Sequence, residues 1–266
     1  MKATPPSAKA KTEKRKYLST AIFLVFWTLL AFLSASMITG CTILHPHRWP
    51  TGSMQIVLTF DDGPNPRDHV SARLLDVLAK HQVKATFCYI GKNVEANPAI
   101  VARAHREGHA LAIHTYSHAF AALFSTDRLI REIDRSEEAI RAAVADEDCT
   151  LTLFRPPWGL MTPPVRRAAN LENLKIAHIT LYVRDVWTQS WNSEKKMAAI
   201  KKKLLRNRGG AIVLHEMRYQ EGARNDLDKS WLPAAVDDLI AWAKAEGFTF
   251  AGYQADRPLA GQAASR

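Results

Sequence analysis

Two adjacent carboxylates, Asp61 and Asp62, close the apolar run Gln55-Ile56-Val57-Leu58-Thr59-Phe60 and are followed at once by Gly63-Pro64. Neighbouring anions repel unless a cation lies between them or their roles divide, one ionised against a metal and the other free to take a proton. The competing reading is an Asx-turn, because Asp before Gly-Pro is ordinary turn chemistry. His114 and His118 are four residues apart, a spacing that brings both imidazoles to one side of a short helical turn. Two histidines and one carboxylate are a common catalytic zinc set, with the fourth position left to water or substrate. With Asp62 as that carboxylate, Asp61 is left as a base for water. Arg155 can hold Asp61 ionised, although a structural ion pair would read identically. His215 suits the acid that protonates a leaving group, against the alternative of a hydrogen-bonded core histidine.

These residues need elements to bring them together. The run 55–60 reads as a buried strand ended by Gly63-Pro64. Helical spacing follows at about 71–80, a strand at 85–90, a helix at about 98–107 and a strand at 110–113. A long helix at about 126–144 carries Leu129, Ile133, Ile140 and Val144 on one face. Strands are expected at 151–154, 175–181, 211–214 and 248–253, with helices after Pro163-Pro164, at about 193–205 and at 232–244. Alternation of this kind means parallel βαβ units, either a closed or nearly closed (β/α) barrel or an opened doubly wound sheet. Asp61-Asp62, His114–His118, Arg155–Gly159 and His215-Glu216 each follow a strand. In a parallel sheet those C-terminal tips gather on one rim, where α/β active sites form.

The chain has 266 residues, with no Gly/Ser tract, repeat or low-complexity segment after Trp49, so one catalytic-sized domain is expected over 55–255. It is preceded by a basic tail (1–16), an apolar segment (17–40) and a linker (41–54), and followed by a polar tail (256–266). The apolar segment is long enough to span a bilayer, and its basic flank places the N-terminus in the cytoplasm. It is either a retained anchor helix or a signal, because Ile38-Thr39-Gly40-Cys41 is similar to a bacterial lipoprotein cleavage box that would leave Cys41 lipidated. Either way the domain would be tethered to a membrane and face the periplasm or cell exterior. Six basic residues against one acid in the first tail leave +5 of the +10 net charge on residues 41–266. That surplus is a solvated surface and not a nucleic-acid footprint. Cys88 and Cys149 could pair in an oxidising compartment.

The motifs together resemble the polysaccharide deacetylase (NodB-homology) family, carbohydrate esterase family 4, over roughly 55–253. Thr59-Phe60-Asp61-Asp62-Gly63-Pro64 is its complete first motif, His114-Thr115-Tyr116-Ser117-His118 its second, Arg155-Pro156-Pro157-Trp158-Gly159 its third and Val213-Leu214-His215 its fifth. Trp158 stands where tyrosine is usual, and Val213 where leucine is. The resemblance implies an α/β fold, the distorted, incomplete (β/α) barrel of that family. It implies a divalent metal on Asp62, His114 and His118, zinc first, with cobalt or another divalent ion as the alternative. It also implies Asp61 as base, Arg155 as its orienter, the Trp158 N–H as oxyanion donor and His215 as acid. Pro157, Trp191 and Val213 fall among the implied substrate-binding positions. The implied substrate is an acetylated carbohydrate, and the tether points to peptidoglycan, an exported poly-N-acetylglucosamine or a chitin-like oligomer. Loops 65–70, 187–192 and 218–229 would line the cleft on position alone.

The fourth motif departs from the family. It should end in Asp-Trp, the Asp partnering the catalytic histidine, but Thr188-Gln189-Ser190-Trp191 offers Ser190. Without an anion the pKa of His215 would fall, giving a slower enzyme or a shifted pH optimum, unless Asp185 or Glu216 substitutes. Two alternatives stay open: a sugar-binding homologue with little turnover, and a deformylase or deacetylase of a lipid-linked sugar.

Overall fold

The computed structural model describes residues 27, 42–43, 53–182, 185–188, 190–217 and 228–253. The chain falls into two compact units, Met1–Thr42 and Ile43–Arg266, and every element named below belongs to the second. Apart from Trp27, the apolar segment 17–40 and Cys41 lie outside the described residues, as do both tails and most of the 218–229 loop. No helix among the described residues is long and apolar enough to cross a membrane.

The central strand is β1 (Gln55–Asp61), buried throughout after Gln55. It has β-neighbours on both sides, which is why its sequence is continuously apolar and not alternating. After α1 (Val70–His81) come β2 (Thr86–Tyr89), α2 (Gly91–Ala96), α3 (Pro98–Arg106) and β3 (Ala110–Ile113). Then follow α4 (Thr126–Val144), β4 (Leu153–Phe154), α5 (Pro163–Leu171), β5 (Lys175–Ile176) and β6 (Leu181–Tyr182). The chain continues through α6 (Ser193–Asn207), β7 (Gly209–His215), α7 (Leu232–Ala245) and β8 (Thr249–Phe250). Cap chemistry sets two helix starts: the Ser125 hydroxyl accepts the Arg128 N–H before α4, and Thr162 accepts Val165 N–H before the Pro163-Pro164 start of α5.

The sheet runs β5–β4–β3–β2–β1–β7–β6, every pair parallel, with β8 pairing the lower end of β1. Among the described residues β5 and β6 do not pair with each other, so the parallel half-barrel stays open. This refines the expected strand 175–181. Lys175–Ile176 pairs with β4 at one edge, and Leu181–Tyr182 pairs with β7 at the other. The residues between cross the gap, held by His178 N–H on the Tyr253 hydroxyl and Thr180 N–H on the Ala211 carbonyl. Apolar runs mark both halves as buried but carry no sign of which edge each joins. The core on the helix side includes Phe60, Phe87 and Tyr89 stacked in series at 5.3 and 5.4 Å. Cys88 and Cys149 are both buried and unpaired.

Candidate active site

Asp61, Asp62, His114, His118, Arg155 and His215 reach the same rim. Asp61 is the last residue of β1 and lies opposite His215, the last of β7, in the parallel register. His114 and Arg155 each follow the last residue of their strand, β3 and β4. Successive strand residues point to opposite faces, yet Asp61 and Asp62 both serve this rim. The chain manages that by turning at Asp62, whose φ of 71° lies in the left-handed region. His118 and Trp158 take the same conformation, with φ of 53° and 62°. Non-glycine residues held there are uncommon and cluster at functional sites.

Asp62 Oδ1 lies 3.4 Å from His114 Nε2 and 3.3 Å from His118 Nε2, with all three side chains buried. That carboxylate oxygen has no hydrogen-bond partner among the described residues. Three corners of a tetrahedron with metal–ligand bonds of ~2.0–2.1 Å would stand about 3.3–3.4 Å apart, so the donor set fits a small divalent cation. His114 Nδ1 sits 2.6 Å from the Arg155 carbonyl oxygen, an arrangement that leaves Nε2 as the ligand nitrogen. Burial pulls the His118 imidazole down to about 4, more than the nearby Asp62 raises it, so it is neutral and ready to ligate at neutral pH. For Asp62, burial alone would raise the carboxyl, but His118, His114 and His215 outweigh it and hold the group ionised, well below the usual range.

The histidine loop is fastened from outside. Glu132 on α4 accepts the Tyr116 and Ser117 N–H groups at 3.2 and 2.8 Å, and the Thr115 hydroxyl accepts the His118 N–H at 3.1 Å. Asn93 donates to the Asp62 carbonyl at 2.7 Å. Glu132 and Asn93 carry no motif of their own, so sequence reading passes them by.

Arg155 is buried and donates from Nη1 to both Asp61 oxygens, at 3.1 and 2.9 Å. Its Nε donates to the Ala177 carbonyl at 2.6 Å and its Nη2 to the Thr59 hydroxyl at 3.2 Å. Burial opposes its charge, but the Asp61 carboxylate more than restores it.

The anion missing from the expected fourth motif is supplied by Asp185. Its Oδ1 lies 2.7 Å from His215 Nδ1, and its Oδ2 accepts the His215 N–H at 2.8 Å. Ser190 is exposed. The lowered His215 pKa expected from Ser190 is therefore corrected. Burial alone would lower His215, but Asp185 outweighs it and lifts the group to about 9. Lys229, also fully buried, donates to the Asp185 carbonyl at 2.7 Å and stands 3.5 Å from its Oδ2. Burial opposes the Asp185 charge, but His215 and then Lys229 stabilise it and keep the carboxyl low. Lys229 falls in a polar stretch with no pattern and was not foreseeable. Glu216, the other substitute considered, points away into the turn after Asp62.

Trp158 is 56% exposed, its ring centre 5.9 Å from that of His118 and 6.0 Å from that of Phe120, which it meets at 75°. Pro157 is buried at the start of the same turn, and Val213 is buried in the main apolar core two residues before His215. The side chains of Trp187 and Trp191 lie outside the described residues.

The family model for polysaccharide deacetylases matches residues 49–177. A chitooligosaccharide deacetylase of Sinorhizobium fredii is 31% identical over 164 residues, 62% of this chain and 72% of the relative. This chain belongs to the polysaccharide deacetylase family. Peptidoglycan-N-acetylglucosamine deacetylase of Listeria monocytogenes is 30% identical over 196 residues, 74% of this chain but only 37% of that longer relative. Among solved structures, a family 4 acetyl xylan esterase from Clostridium thermocellum, in complex with a cobalt ion, superposes with a TM-score of 0.61 at 29% identity. That match covers 74% of this chain and 87% of the other. The family resemblance and the α/β half-barrel expected from sequence both hold.

Proposed function

We propose that this polysaccharide deacetylase family member is a metal-dependent hydrolase that removes acetyl groups, N-acetyl first, from an envelope or extracellular carbohydrate polymer. The observation that carries the reading is one rim holding the Asp62–His114–His118 donor set between two buried pairs, Arg155–Asp61 and Asp185–His215. Asp62, His114 and His118 would hold the divalent cation, zinc or cobalt by donor chemistry. When bound, it supplies a Lewis acid for the acetyl carbonyl and makes water more acidic. Asp61, oriented by the two Arg155 Nη1 contacts, accepts the proton of the attacking water. The Trp158 N–H donates to the developing oxyanion. His215, kept protonated by Asp185, gives its proton to the departing amine.

The names of the relatives, which act on peptidoglycan N-acetylglucosamine and chitooligosaccharides, support an N-acetylated sugar polymer. Either the retained apolar segment 17–40 or, after cleavage, a lipid on Cys41 would hold the domain at a membrane facing such polymers. Acetate release is to be measured from peptidoglycan, chitooligosaccharides and acetylated xylan with added Zn2+ or Co2+. Release that is cation-dependent and abolished by Asp61→Asn is expected. No release from any of the three with either ion would sink the reading.

A further inference from the structure

Glu216 follows the catalytic acid in sequence but not in direction. Its side chain is fully buried and lies against Gly63, so that a Cβ at that position would overlap the carboxyl group. The Ser71 hydroxyl donates to Glu216 Oε2 and accepts the Asn65 N–H at 2.6 Å. Asn65 Nδ2 in turn donates to the Glu216 carbonyl at 2.7 Å, and the Glu216 N–H donates to the Asp61 carbonyl at 3.0 Å. The segment Asp61–Asn65, which carries both site carboxylates, is thus gripped at its two ends and its middle by the residue that follows β7 and by one from α1. Glu216 Oε1 has no hydrogen-bond partner among the described residues. A buried carboxyl left half-satisfied is costly, so simple core filling is a poor account of it. Burial pushes it up to about 7, so a neutral form that glutamine could copy is well populated at neutral pH.

We infer that Glu216 is a positioning residue: seated against Gly63 and held by Ser71, it sets the angle at which Asp61 and Asp62 leave β1, and with it the spacing of Asp62 from the two imidazoles. The inference about ligand spacing rests on Asp62 being a metal ligand, as proposed above, whereas the steric key itself does not.

Two measurements test it. The first is a thermal double-mutant cycle on the whole chain with Gly63→Ala and Glu216→Ala. Gly63 is not in the left-handed region that glycine favours, so the cost of its Ala variant should come from the Glu216 carboxyl. Gly63→Ala is expected to lower Tm strongly in the parent and much less once Glu216 is Ala. Equal costs in both backgrounds would overturn the key. The second is Co2+ affinity by calorimetry. Glu216→Ala is expected to weaken binding by roughly 10–100-fold, as losses of ligand-supporting groups do, while Glu216→Gln retains the parental affinity. Unchanged affinity in Glu216→Ala, or an equal loss in Glu216→Gln, would overturn the positioning role. A parent that binds no Co2+ would overturn the proposed function, and the thermal cycle would still decide the key.

Discussion

His215 Nδ1 and Asp185 Oδ1 stand 2.7 Å apart, and the same carboxylate accepts the His215 backbone N–H through its other oxygen. One side chain therefore fixes both the orientation of the imidazole and its charge. The pKa of about 9 lies above the ordinary imidazole value, so the acid form persists across neutral pH. The imidazolium is present below about 9 and is lost as pH rises through it. The contribution of His215 to folding is likewise full below its unfolded value of about 6.5 and lost on the alkaline side, whereas that of Asp185 is lost on the acid side.

Asp185→Asn removes the anion but keeps the shape. The alkaline limb of kcat should move down from near 9 towards the ordinary imidazole range. At neutral pH kcat should fall by about 4-fold from the smaller protonated share of His215 alone. A kcat–pH profile checks both, and an unmoved alkaline limb would show that Asp185 does not set the acid.

Lys229 shares Asp185 with His215 and competes for its charge. Lys229→Met should therefore leave more of the anion to the imidazole and shift the alkaline limb upward, opposite in direction to Asp185→Asn. It should also lower Tm, since a buried partner is lost. The contrast in sign separates tuning of the acid from general damage to the fold.

The Asp62, His114 and His118 donor set gives a test that needs no substrate. A cation binding only the folded state adds about 2.7 kcal/mol at one hundred times its Kd. Each kcal/mol moves Tm by about 2–4 °C in a domain of this size. Added Zn2+ or Co2+ should raise Tm accordingly, a chelator should reverse it, and His118→Ala should remove the response. Because His118 titrates near 4, the response should persist to mildly acid pH before proton competition weakens it.

Much of this rim is legible in the sequence because strand tips in a parallel sheet have only one side to gather on. Asp61, Asp62, His114, Arg155 and His215 each sit at or one step beyond an apolar run, and the end of such a run can be read without tertiary information. Asp185 is different. It lies in a turn after the short strand β6, five residues before the serine in the expected motif position, and only the path across the open edge brings it to His215. The same crossing splits the run 175–181 between opposite edges, which apolar character alone cannot encode. Left-handed φ at Asp62, His118 and Trp158 was equally hidden, since none of them is a glycine. Glu132, Asn93 and Lys229 act through the backbone or through another side chain, and such contacts leave no spacing to read.

Trp158 combines a strained backbone with an exposed ring beside the His118 imidazole, and Phe120 meets it edge-on, 44% exposed. Leaving two aromatic faces in water next to a catalytic rim is unfavourable unless something covers them. The apolar face of a pyranose is a suitable cover under the proposed function. Trp158→Ala keeps the N–H that would donate to the oxyanion and removes only the ring. Stacking of this kind is worth about 0.5–1.5 kcal/mol, so KM for a chitooligosaccharide should rise by roughly 2- to 12-fold with kcat little changed. Hydrolysis of a small acetate ester, which has no second ring to stack, should be nearly unaffected. Equal losses on both substrates would instead locate the role of Trp158 in its backbone and not in its indole.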